Sequence, residues 1–444
     1  LHLMSTAFPF LLTEEELQQF DMITFANTLD CAAALDQQDP LLKYRDAFMH
    51  PIENNRERTY FLGNSLGLQP KKTMDSIQQV LKQWQQDGVE SFFKGDDNWL
   101  AYHRKLTNPL AAITGALPHE ITVMNQLTVN IHLMMVSFYR PEGRRKKILI
   151  ESKAFPSDQY AVSSFVRHMG FNPDEILVEI NPDAEGFPPT NQQVIDAIHQ
   201  YGNDLAMVFL GGVNYYTGQL FDLYSIAEAS REVGAVVGFD LAHAVGNVKL
   251  NLHDWDVDFA CWCSYKYLNG GPGAIAGAFI HEKHHLSEIN RLEGWWGVKQ
   301  DERFLMKRNF ISSGDATAWQ LSTSSILLFA CLHASLQIFE DAGWNNLLTK
   351  QQKMIEWADF LLGAISNNVF KRITPQLRGC QISLQFQKNG KEVYKRLFDQ
   401  GFMIDWREPD VIRFAPVPLY NSYTEIWHFF NSLREITNEL TLND

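Results

Sequence analysis

Short apolar runs alternate with helical stretches in the middle of this chain. Residues 147–150, 206–210 and 235–239 are runs of strand length, and helical patterns cover about 159–169 and 225–232. Strands that are apolar along their whole length are typical of parallel sheets, because helices cover both faces of such sheets. We therefore predict an α/β fold with a large domain built on a mostly parallel sheet. Ligands of such folds bind beyond the carboxyl ends of the strands.

The pattern changes after about residue 320. Helices are predicted at 321–340, 347–367 and about 423–438, and strand-like pieces occur at 381–386 and 411–414. A run of helices mixed with short alternating strands indicates a smaller α+β unit at the C-terminal end.

We predict three parts for the chain. Residues 1–70 form an N-terminal segment that packs on the small domain, residues 71–320 form the large domain, and residues 321–444 form the small domain. Thr13, which precedes three glutamates, fits a capping box at the start of a helix in the first part. Residues 24–50 have a mixed polar, helical pattern.

Charge and cysteine content exclude several classes of protein. The chain has 444 residues, a formal net charge of −14 and no long basic run, so we expect neither nucleic acid nor an anionic membrane as partner. Its five cysteines are odd in number and sparse, which indicates a reducing compartment rather than a disulfide framework. Cys261 and Cys263 lack a second pair, so we predict no metal site.

Two kinds of membrane-directing segment are also missing from the pattern. No window approaches the roughly 18 apolar residues of a membrane span. The apolar stretch that ends at Leu12 lacks the basic leader and cleavage pattern of a signal peptide. We therefore expect a cytoplasmic protein.

Lys266 is the first candidate for chemistry. It follows an apolar and aromatic run and precedes a loop that contains Gly270, Gly271 and Gly273. An amine held between a buried segment and a tight turn loses part of its solvation, which makes it a nucleophile able to form a Schiff base. The alternative is an ordinary solvated lysine at the end of a strand, as most lysines are.

Three further residues give Lys266 a chemical context. Asp240 ends a buried strand, where a carboxylate can pair with a protonated pyridine nitrogen. Thr128 is a good cap for a helix at 128–139, and a helix N-terminus can hold a phosphate. Phe155 can stack on a flat ring. Pyridoxal 5'-phosphate requires these four kinds of group, so we predict it as cofactor. Taken singly, Asp240 could instead cap its strand and Phe155 could be a core residue.

Seven blocks of the sequence carry a resemblance to a known family: Phe61–Leu68, Asn125–Asn130, Phe155–Asp158, Gly212–Gln219, Gly238–Asn247, Cys263–Asn269 and Arg413–Tyr420. These blocks resemble the kynureninase family, and the resemblance extends from about residue 55 to the C-terminal end. The wider pattern, Asp-x-x-His upstream of Ser-x-Lys, is similar to that of the fold type I superfamily of pyridoxal-phosphate enzymes.

The resemblance implies a fold, an assembly and a reaction. It implies the fold type I transferase architecture and a homodimer with active sites near the subunit interface. It implies hydrolytic cleavage of the Cβ–Cγ bond of L-kynurenine to anthranilate and L-alanine. The 3-hydroxylated substrate would give 3-hydroxyanthranilate and L-alanine, within tryptophan catabolism and NAD biosynthesis.

The resemblance also assigns roles to residues. Lys266 forms the Schiff base with the cofactor, Asp240 pairs with the pyridine nitrogen, and Tyr265 is the leading acid–base candidate, with phosphate anchoring as its alternative role. Trp295 reaches the phosphate, from the same or from the partner subunit, and Arg413 binds the substrate carboxylate. The full set is Leu127, Thr128, Phe155, Pro156, Ser157, Asp158, Asp240, His243, Tyr265, Lys266, Trp295 and Thr323 at the cofactor, and Arg413, Phe92 and Asn64 at the substrate.

Two departures from the family pattern bear on function. Gly211 stands where many members of the family carry Ser or Thr, so a hydroxyl contact is missing there. Ser322-Thr323-Ser324 stands where animal members read Ser-Asn-Pro, a position associated with substrate choice. Thr323 therefore favours plain kynurenine over the 3-hydroxylated substrate.

Two other readings remain open at this point. The chain could be another enzyme of the same superfamily, such as a transaminase or a cysteine desulfurase. A desulfurase requires a nucleophilic cysteine in a mobile loop, whereas Cys331 is predicted in a helix and Cys380 at the start of a strand. The chain could also be a catalytically silent binding protein, which the retained Lys266, Asp240 and Arg413 disfavour.

Overall fold

The computed structural model describes residues 24–96, 98–181, 187–365 and 369–442. The helix predicted from Thr13 lies outside these residues. The described strands, in chain order, are β1 (Phe48–Met49), β2 (Ile52–Glu53), β3 (Arg56–Glu57), β4 (Thr59–Tyr60), β5 (Gln69–Pro70), β6 (Ile121–Val123), β7 (Lys147–Glu151), β8 (Leu177–Ile180), β9 (Leu205–Gly211), β10 (Val236–Asp240), β11 (Phe259–Trp262), β12 (Gly277–Ile280), β13 (Phe370–Arg372), β14 (Ile382–Phe386), β15 (Phe402–Met403), β16 (Asp405–Arg407) and β17 (Val411–Phe414).

The helices surround two separate sheets. In chain order they are α1 (Leu29–Gln38), α2 (Thr73–Asp87), α3 (Arg104–Thr114), α4 (Leu127–Phe138), α5 (Pro156–His168), α6 (Pro173–Ile176), α7 (Asn191–Tyr201), α8 (Leu223–Glu232), α9 (Ile326–Ala342), α10 (Trp344–Gly363), α11 (Gly390–Asp399) and α12 (Tyr423–Leu442).

The large sheet has seven strands in the order β6-β12-β11-β10-β9-β7-β8. Strands β8, β7, β9, β10 and β11 pair in parallel, and β12 is antiparallel to both of its neighbours. The prediction of a mostly parallel sheet is confirmed. Helices cover the crossovers from β7 to β8, from β8 to β9 and from β9 to β10, whereas the residues between β10 and β11 form turns. The parallel pairing brings the carboxyl ends of β7, β9, β10 and β11 to one edge.

Both faces of this sheet are buried, as its apolar strands require. On β9, Phe209 packs into the core formed with α4 and α5, whereas Val208 and Leu210 pack into the core formed with α7 and α8. The side chains of a strand alternate between the two faces, so a strand buried on both sides has to be apolar throughout.

A second sheet, in the order β13-β14-β17-β16, is antiparallel and belongs to the C-terminal part. Its core includes Ile382, Phe414 and Phe429, together with Ala32 and Leu35 of α1. Thus α1, from the N-terminal segment, packs on the small sheet. This arrangement gives the predicted large domain with a smaller α+β unit.

Two segments differ from the predicted pattern. Residues 24–50 are helical only over α1 and a 3-10 turn at Leu42–Ala47, and Pro40 between them interrupts the helix because proline restricts the residue before it. Helix α9 contributes Phe329 and Leu336 to the same core as the large sheet. The predicted three-part division of the chain, with its boundary at residue 321, stays a prediction.

Within the described residues, no single helix is long and apolar enough to cross a membrane. Helices α9 and α10 meet such a test only as a pair, and they are bent by 79° at their junction.

Candidate active site

A cavity of about 160 Å³ opens where β7, β9 and β10 end. In the sheet, β7 has β8 on one side and β9 on the other, so the strand order reverses at this point. Ligands of open α/β sheets bind at such switch points. The cavity is lined by Gln126, Leu127, Thr128, Glu151, Phe155, Ser157, Asp158, Gly211, Val213, Tyr215, Asp240, Ala242, His243, Tyr265 and Lys266.

Lys266 reaches this cavity from the segment that follows β11. Its Nζ atom lies 5.9 Å from the ring centroid of Phe155 and 5.9 Å from that of Tyr265. The backbone around it is tightly folded, because the N–H of Asn269 bonds to the carbonyl of Lys266 at 2.9 Å. The N–H of Gly270 bonds to the carbonyl of Ser264 at 2.8 Å. The lysine amine therefore projects into the cavity from a well-ordered turn.

Asp240, the last residue of β10, shares a side-chain hydrogen bond with Asp158. Both carboxyl groups are 7% exposed, and burial raises the pKa of each. The pKa of Asp158 rises further because the charge and hydrogen bond of Asp240 add to the effect of burial. The backbone N–H of Ala242 also donates to Asp240 Oδ1 at 2.7 Å. Asp158 therefore holds the shared proton, and Asp240 accepts it as the carboxylate.

His243 follows Asp240 by three residues and lines the same cavity. Burial lowers the pKa of its imidazole well below the usual value, and the positive charges of Lys266 and Arg413 lower it further. Its Nδ1 atom is buried without a hydrogen-bond partner among the described residues. The ring is neutral at neutral pH and has a polar atom available to a ligand.

Helix α4 begins at the cavity and directs its N-terminus into it. The helix starts at Leu127, with Gln126 as its N-cap, so the predicted start at Thr128 with Thr128 as cap is wrong. Asn125, with φ 50°, makes the turn from β6 into the helix. The Gln126 side chain makes no capping hydrogen bond. The N–H groups of the first turn, Leu127 and Thr128 included, are free to bind an anion.

Helix α5 supplies the opposite wall of the cavity. Phe155 is its N-cap and Pro156 its first residue, where proline is favoured. The Phe155 ring packs edge-on against Tyr215, with centroids 5.2 Å apart, and it stays 42% exposed. Ser157 donates a hydrogen bond of 3.4 Å to Asp158. An exposed aromatic ring beside Lys266 offers a stacking face to a flat ligand.

Arg413 and Asn64 are buried beside the cavity but do not line it. The guanidinium of Arg413 donates from Nε to Asp405 Oδ2 at 2.6 Å, from Nη2 to the same carboxylate, and from Nη1 to the carbonyl of Tyr215. Asn64 donates to Gln381, and Gln381 donates to that same carbonyl of Tyr215 at 3.1 Å. Tyr215 therefore connects both residues to the cavity wall.

Trp295, Phe92 and Thr323 lie away from the cavity lining. Trp295 is 45% exposed and donates its ring N–H to the carbonyl of Arg303 at 2.9 Å. Phe92 packs edge-on against Trp99, with centroids 5.1 Å apart. Thr323 is exposed in the segment before α9. Within one chain the fold does not bring these three side chains to Lys266.

Glu151 and Tyr215 are among the cavity residues that were not predicted from the sequence. Glu151 is the last residue of β7 and is 3% exposed. Burial raises the pKa of its carboxyl to about 7, and the charge of Asp240 adds to the rise. An acidic residue directly after an apolar strand was the available signal, since the same signal identified Asp240. Tyr215, which backs Phe155, had no signal of its own.

One group of metal-ligand side chains lies elsewhere among the described residues. The ligand atoms of Glu120, His253 and His281 lie within 4.8 Å of one another. The Glu120 carboxylate already accepts hydrogen bonds of 2.9 Å from the N–H groups of Leu117 and Glu282, and His253 lies 3.0 Å from it. Hydrogen bonding within the protein therefore accounts for this group.

The cavity residues fit pyridoxal 5'-phosphate. The free N–H groups at the start of α4 suit its phosphate, and the exposed Phe155 ring suits its flat pyridine. The Asp240 carboxylate suits a protonated pyridine nitrogen, and the Lys266 amine suits an aldehyde. The partnerless Nδ1 atom of His243 is a polar group that the protein alone leaves unsatisfied.

Solved structures show the same kind of fold. A C-DES mutant with glycine covalently linked to the PLP cofactor matches at a TM-score of 0.69 and 19% identity, covering 85% of this chain and 96% of that one. The apo cysteine desulfurase of Thermococcus onnurineus matches at a TM-score of 0.70 and 15% identity, covering 94% and 100%. Fold and site together define a pyridoxal-phosphate-dependent enzyme of fold type I.

Sequence relatives identify the family within that class. Kynureninase of Christiangramia forsetii is 46% identical, with 93% of this chain and 98% of the relative covered. Kynureninase of Stenotrophomonas maltophilia is 48% identical, with 90% and 96% covered. A family model described as the kynureninase C-terminal domain matches residues 350–433. The chain belongs to the kynureninase family, and its cofactor is pyridoxal 5'-phosphate, as the sequence predicted.

The cysteines of the chain do not support the desulfurase alternative. Cys31, Cys261, Cys263 and Cys380 are buried, and Cys331 lies within α9. None of them occupies an exposed loop at the cavity. The resemblance to desulfurases is therefore one of fold, whereas the sequence relatives are kynureninases.

Proposed function

We propose that this enzyme hydrolyses the Cβ–Cγ bond of L-kynurenine, releasing anthranilate and L-alanine, and that it cleaves 3-hydroxykynurenine in the same way. The observation that carries the proposal is the convergence of Lys266, Asp240 and the free N-terminus of α4 on one cavity in a chain of the kynureninase family. Bound pyridoxal phosphate supplies the electron sink that stabilises negative charge at the substrate α-carbon.

The protein groups divide the remaining work. The Lys266 amine attaches the cofactor and moves the proton at the substrate α-carbon. Asp240, as a carboxylate, holds the pyridine nitrogen in its protonated form, and Asp158 fixes Asp240 by donating to it. Phe155 covers the ring, with Pro156 and Ser157 shaping the start of α5 around it. Leu127, Thr128 and His243 provide polar groups for the cofactor's phosphate and ring substituents.

Tyr265 is the proposed proton donor at the γ-carbonyl of the substrate. Burial raises the pKa of its phenol far above neutrality. The group therefore keeps its proton and acts as an acid at the carbonyl oxygen before it acts as a base. Its position in the cavity also suits the alternative role, anchoring of the phosphate.

Arg413 is the proposed partner of the substrate carboxylate. Its Nε, Nη1 and Nη2 atoms each donate one hydrogen bond within the protein. A guanidinium has five N–H donors, so one on each Nη atom remains for a planar carboxylate. Asp405 fixes the orientation of the fork. The buried Asn64 Oδ1, which has no partner within the described residues, adds an acceptor for the substrate.

The enzyme is proposed to work as a homodimer in the cytoplasm. Phe93 and Trp295 each pack against Phe304, with ring centroids 5.5 Å apart, and all three are at least 43% exposed. Leu305 and Met306 extend this patch and are 61% and 71% exposed. An apolar patch of this kind is typical of a protein interface. The site of the partner subunit would then be completed by Trp295, Phe92 and Thr323.

The proposed location in the cytoplasm rests on the cysteines, because five unpaired cysteines suit a reducing compartment.

The experiment that tests the function compares two substrates. Purified protein with pyridoxal phosphate is given L-kynurenine or 3-hydroxykynurenine, and the aromatic product and L-alanine are quantified. Because Thr323 stands where the family carries Asn for the hydroxylated substrate, kcat/KM is expected to be higher for L-kynurenine. Cleavage of neither substrate would contradict the proposed function, and a preference for 3-hydroxykynurenine would contradict the role given to Thr323.

A further inference from the structure

The carboxyl group of Glu151 is fixed in the cavity by ordered neighbours. Its Oε2 accepts a hydrogen bond of 3.4 Å from Asn214 Nδ2. Asn214 is itself held, because its Oδ1 accepts from the backbone N–H groups of Tyr216 and Thr217 at 3.0 and 2.9 Å. On the other side of the carboxyl group, Oε1 lies 3.2 Å from the position that a Cβ atom would occupy if Gly211 had a side chain. The carboxyl therefore fills the space that the missing side chain at Gly211 leaves at the end of β9.

Glu151 shares the cavity with two other carboxyl groups. Asp240 on β10 raises the pKa of Glu151, and Glu151 in turn raises that of Asp158 on α5. The other titratable groups that line the cavity are Tyr215, His243, Tyr265 and Lys266. His243 is neutral and Tyr265 keeps its proton, so Lys266 is the cation of this lining. If all three carboxyl groups were ionised, their negative charge would exceed the positive charge of one lysine. The carboxyl groups therefore retain protons.

We propose that Glu151 couples cofactor binding to proton release: its carboxyl is protonated in the cofactor-free enzyme and ionises when a protonated pyridine nitrogen binds beside Asp240. The O–H bond of Glu151 breaks, and its proton leaves to solvent. A cation placed next to interacting carboxyl groups stabilises their ionised forms. The inference rests on the proposed pairing of Asp240 with the pyridine nitrogen. Glu151 acts through its charge and is a positioning residue.

Proton release has a measurable consequence for cofactor affinity. A ligand whose binding releases a proton binds more tightly as pH rises through the pKa of the releasing group. For Glu151 that pKa is about 7. The cofactor phosphate also titrates, but it does so in the variant as in wild type. The ratio of dissociation constants between variant and wild type therefore reports the carboxyl of Glu151 together with its coupling to Asp158 and Asp240.

The test compares Glu151→Gln with wild type. Apo-protein is titrated with pyridoxal phosphate from pH 5.5 to 8.5, with absorbance as readout. The amide mimics the protonated carboxyl, so the two dissociation constants are expected to agree at pH 5.5. The variant should bind more weakly at pH 8.5, by about tenfold for each unit by which the bound cation lowers the Glu151 pKa. Glu179→Gln, on the exposed face of the adjacent β8, is the matched control and should give a ratio of one throughout.

Thermal unfolding of the apo-protein gives a second readout that does not depend on the cofactor. The pKa of Glu151 is raised from 4.5 to about 7, so its contribution to stability is present below pH 4.5 and is lost as pH rises to 7. Glu151→Gln has no such loss. The midpoint temperature of unfolding of the variant should therefore rise relative to that of wild type between pH 5 and 7. The difference between the two midpoints should stay constant above pH 7.5.

Several outcomes would overturn the inference, and each is distinct from failure of the proposed function. A ratio of dissociation constants that is constant with pH would mean that Glu151 only packs. Glu151→Asp keeps a titrating carboxyl, so part of the pH dependence should return, and an equal, flat defect in both variants would contradict the coupling. Wild-type apo-protein that binds no pyridoxal phosphate at any pH would instead contradict the proposed function.

Discussion

The backbone N–H of Gly67 donates a hydrogen bond of 2.8 Å to the carbonyl oxygen of Tyr265, the residue before Lys266. A Cβ atom at Gly67 would lie 2.4 Å from the carbonyl oxygen of Lys266 and 2.2 Å from Asn269 Oδ1. No side chain fits at such distances. The N-terminal segment therefore packs directly on the turn that carries Lys266, and only glycine permits this approach.

Gly67→Ala is expected to displace that turn. The methyl group meets backbone atoms that cannot move away alone, so the free energy of unfolding should fall by about 2 kcal/mol. The affinity for pyridoxal phosphate should fall as well, because Lys266 moves with the turn. Chemical denaturation and cofactor titration measure the two effects. Gly363→Ala, at the open end of α10, is the control and should be neutral or slightly stabilising. A Gly67→Ala protein with wild-type stability and cofactor affinity would contradict this account.

Asp240 and Asp158 are predicted to respond differently to the same substitution. Asp240 acts as a carboxylate, so Asp240→Asn should lower kcat/KM by at least about 100-fold. Asp158 is the protonated partner, and an asparagine amide can still donate to Asp240. Asp158→Asn should therefore stay within about tenfold of wild type. Steady-state measurement of kcat/KM for both variants shows which carboxyl group holds the shared proton. The reverse order of effects would place the shared proton on Asp240.

Substitution of Arg413 tests the carboxylate site. Lysine keeps the charge but loses the planar fork, so Arg413→Lys should raise KM for kynurenine by about 100-fold. Arg407 also donates to Asp405, at 3.1 Å, and serves as the matched control. Arg407→Lys should change KM little. An unchanged KM in Arg413→Lys would remove Arg413 from the substrate site.

The apolar patch around Phe304 is predicted to be the dimer interface. Wild-type protein should run in light scattering at twice the chain mass of 51.0 kDa. A double variant, Leu305→Asp with Met306→Asp, places two charges on exposed positions and should give monomers with little activity. Leu442→Asp, at a still more exposed site on α12, should remain dimeric. A dimeric, active double variant would place the interface elsewhere.

The site residues that could be predicted from the sequence are those whose chemical type differs from that of their neighbours in the chain. Asp240 and Lys266 stood out because a charged residue ended or followed an apolar run, and the parallel sheet brings such positions to one edge. The helix start was misplaced by one residue, because Thr128 looks like a cap although Gln126 takes that position. The pairing of Arg413 with Asp405 depends on the register of β16 and β17, which residue pattern does not reveal.

Glu151 shows why the rest of the site could not be predicted from the sequence. Its position at the end of β7 matches that of Asp240 at the end of β10, yet its charge depends on how close Asp158 and Asp240 lie in space. Such couplings arise only when three separate elements meet at the switch point of the sheet. Trp295 and Phe92 likewise need an assembly of two chains before the proposed roles can be filled.

Anthranilate release by the purified enzyme tests the central claim most directly. With pyridoxal phosphate and L-kynurenine, wild-type protein should produce anthranilate and L-alanine in equal amounts, followed by anthranilate fluorescence and amino-acid analysis. Lys266→Ala should lower the rate by at least about 1000-fold, because the amine that attaches the cofactor and moves the α-proton is gone. Absence of anthranilate from wild-type protein, together with release of L-alanine and sulfide from L-cysteine in the presence of a thiol reductant, would contradict the claim and support a desulfurase.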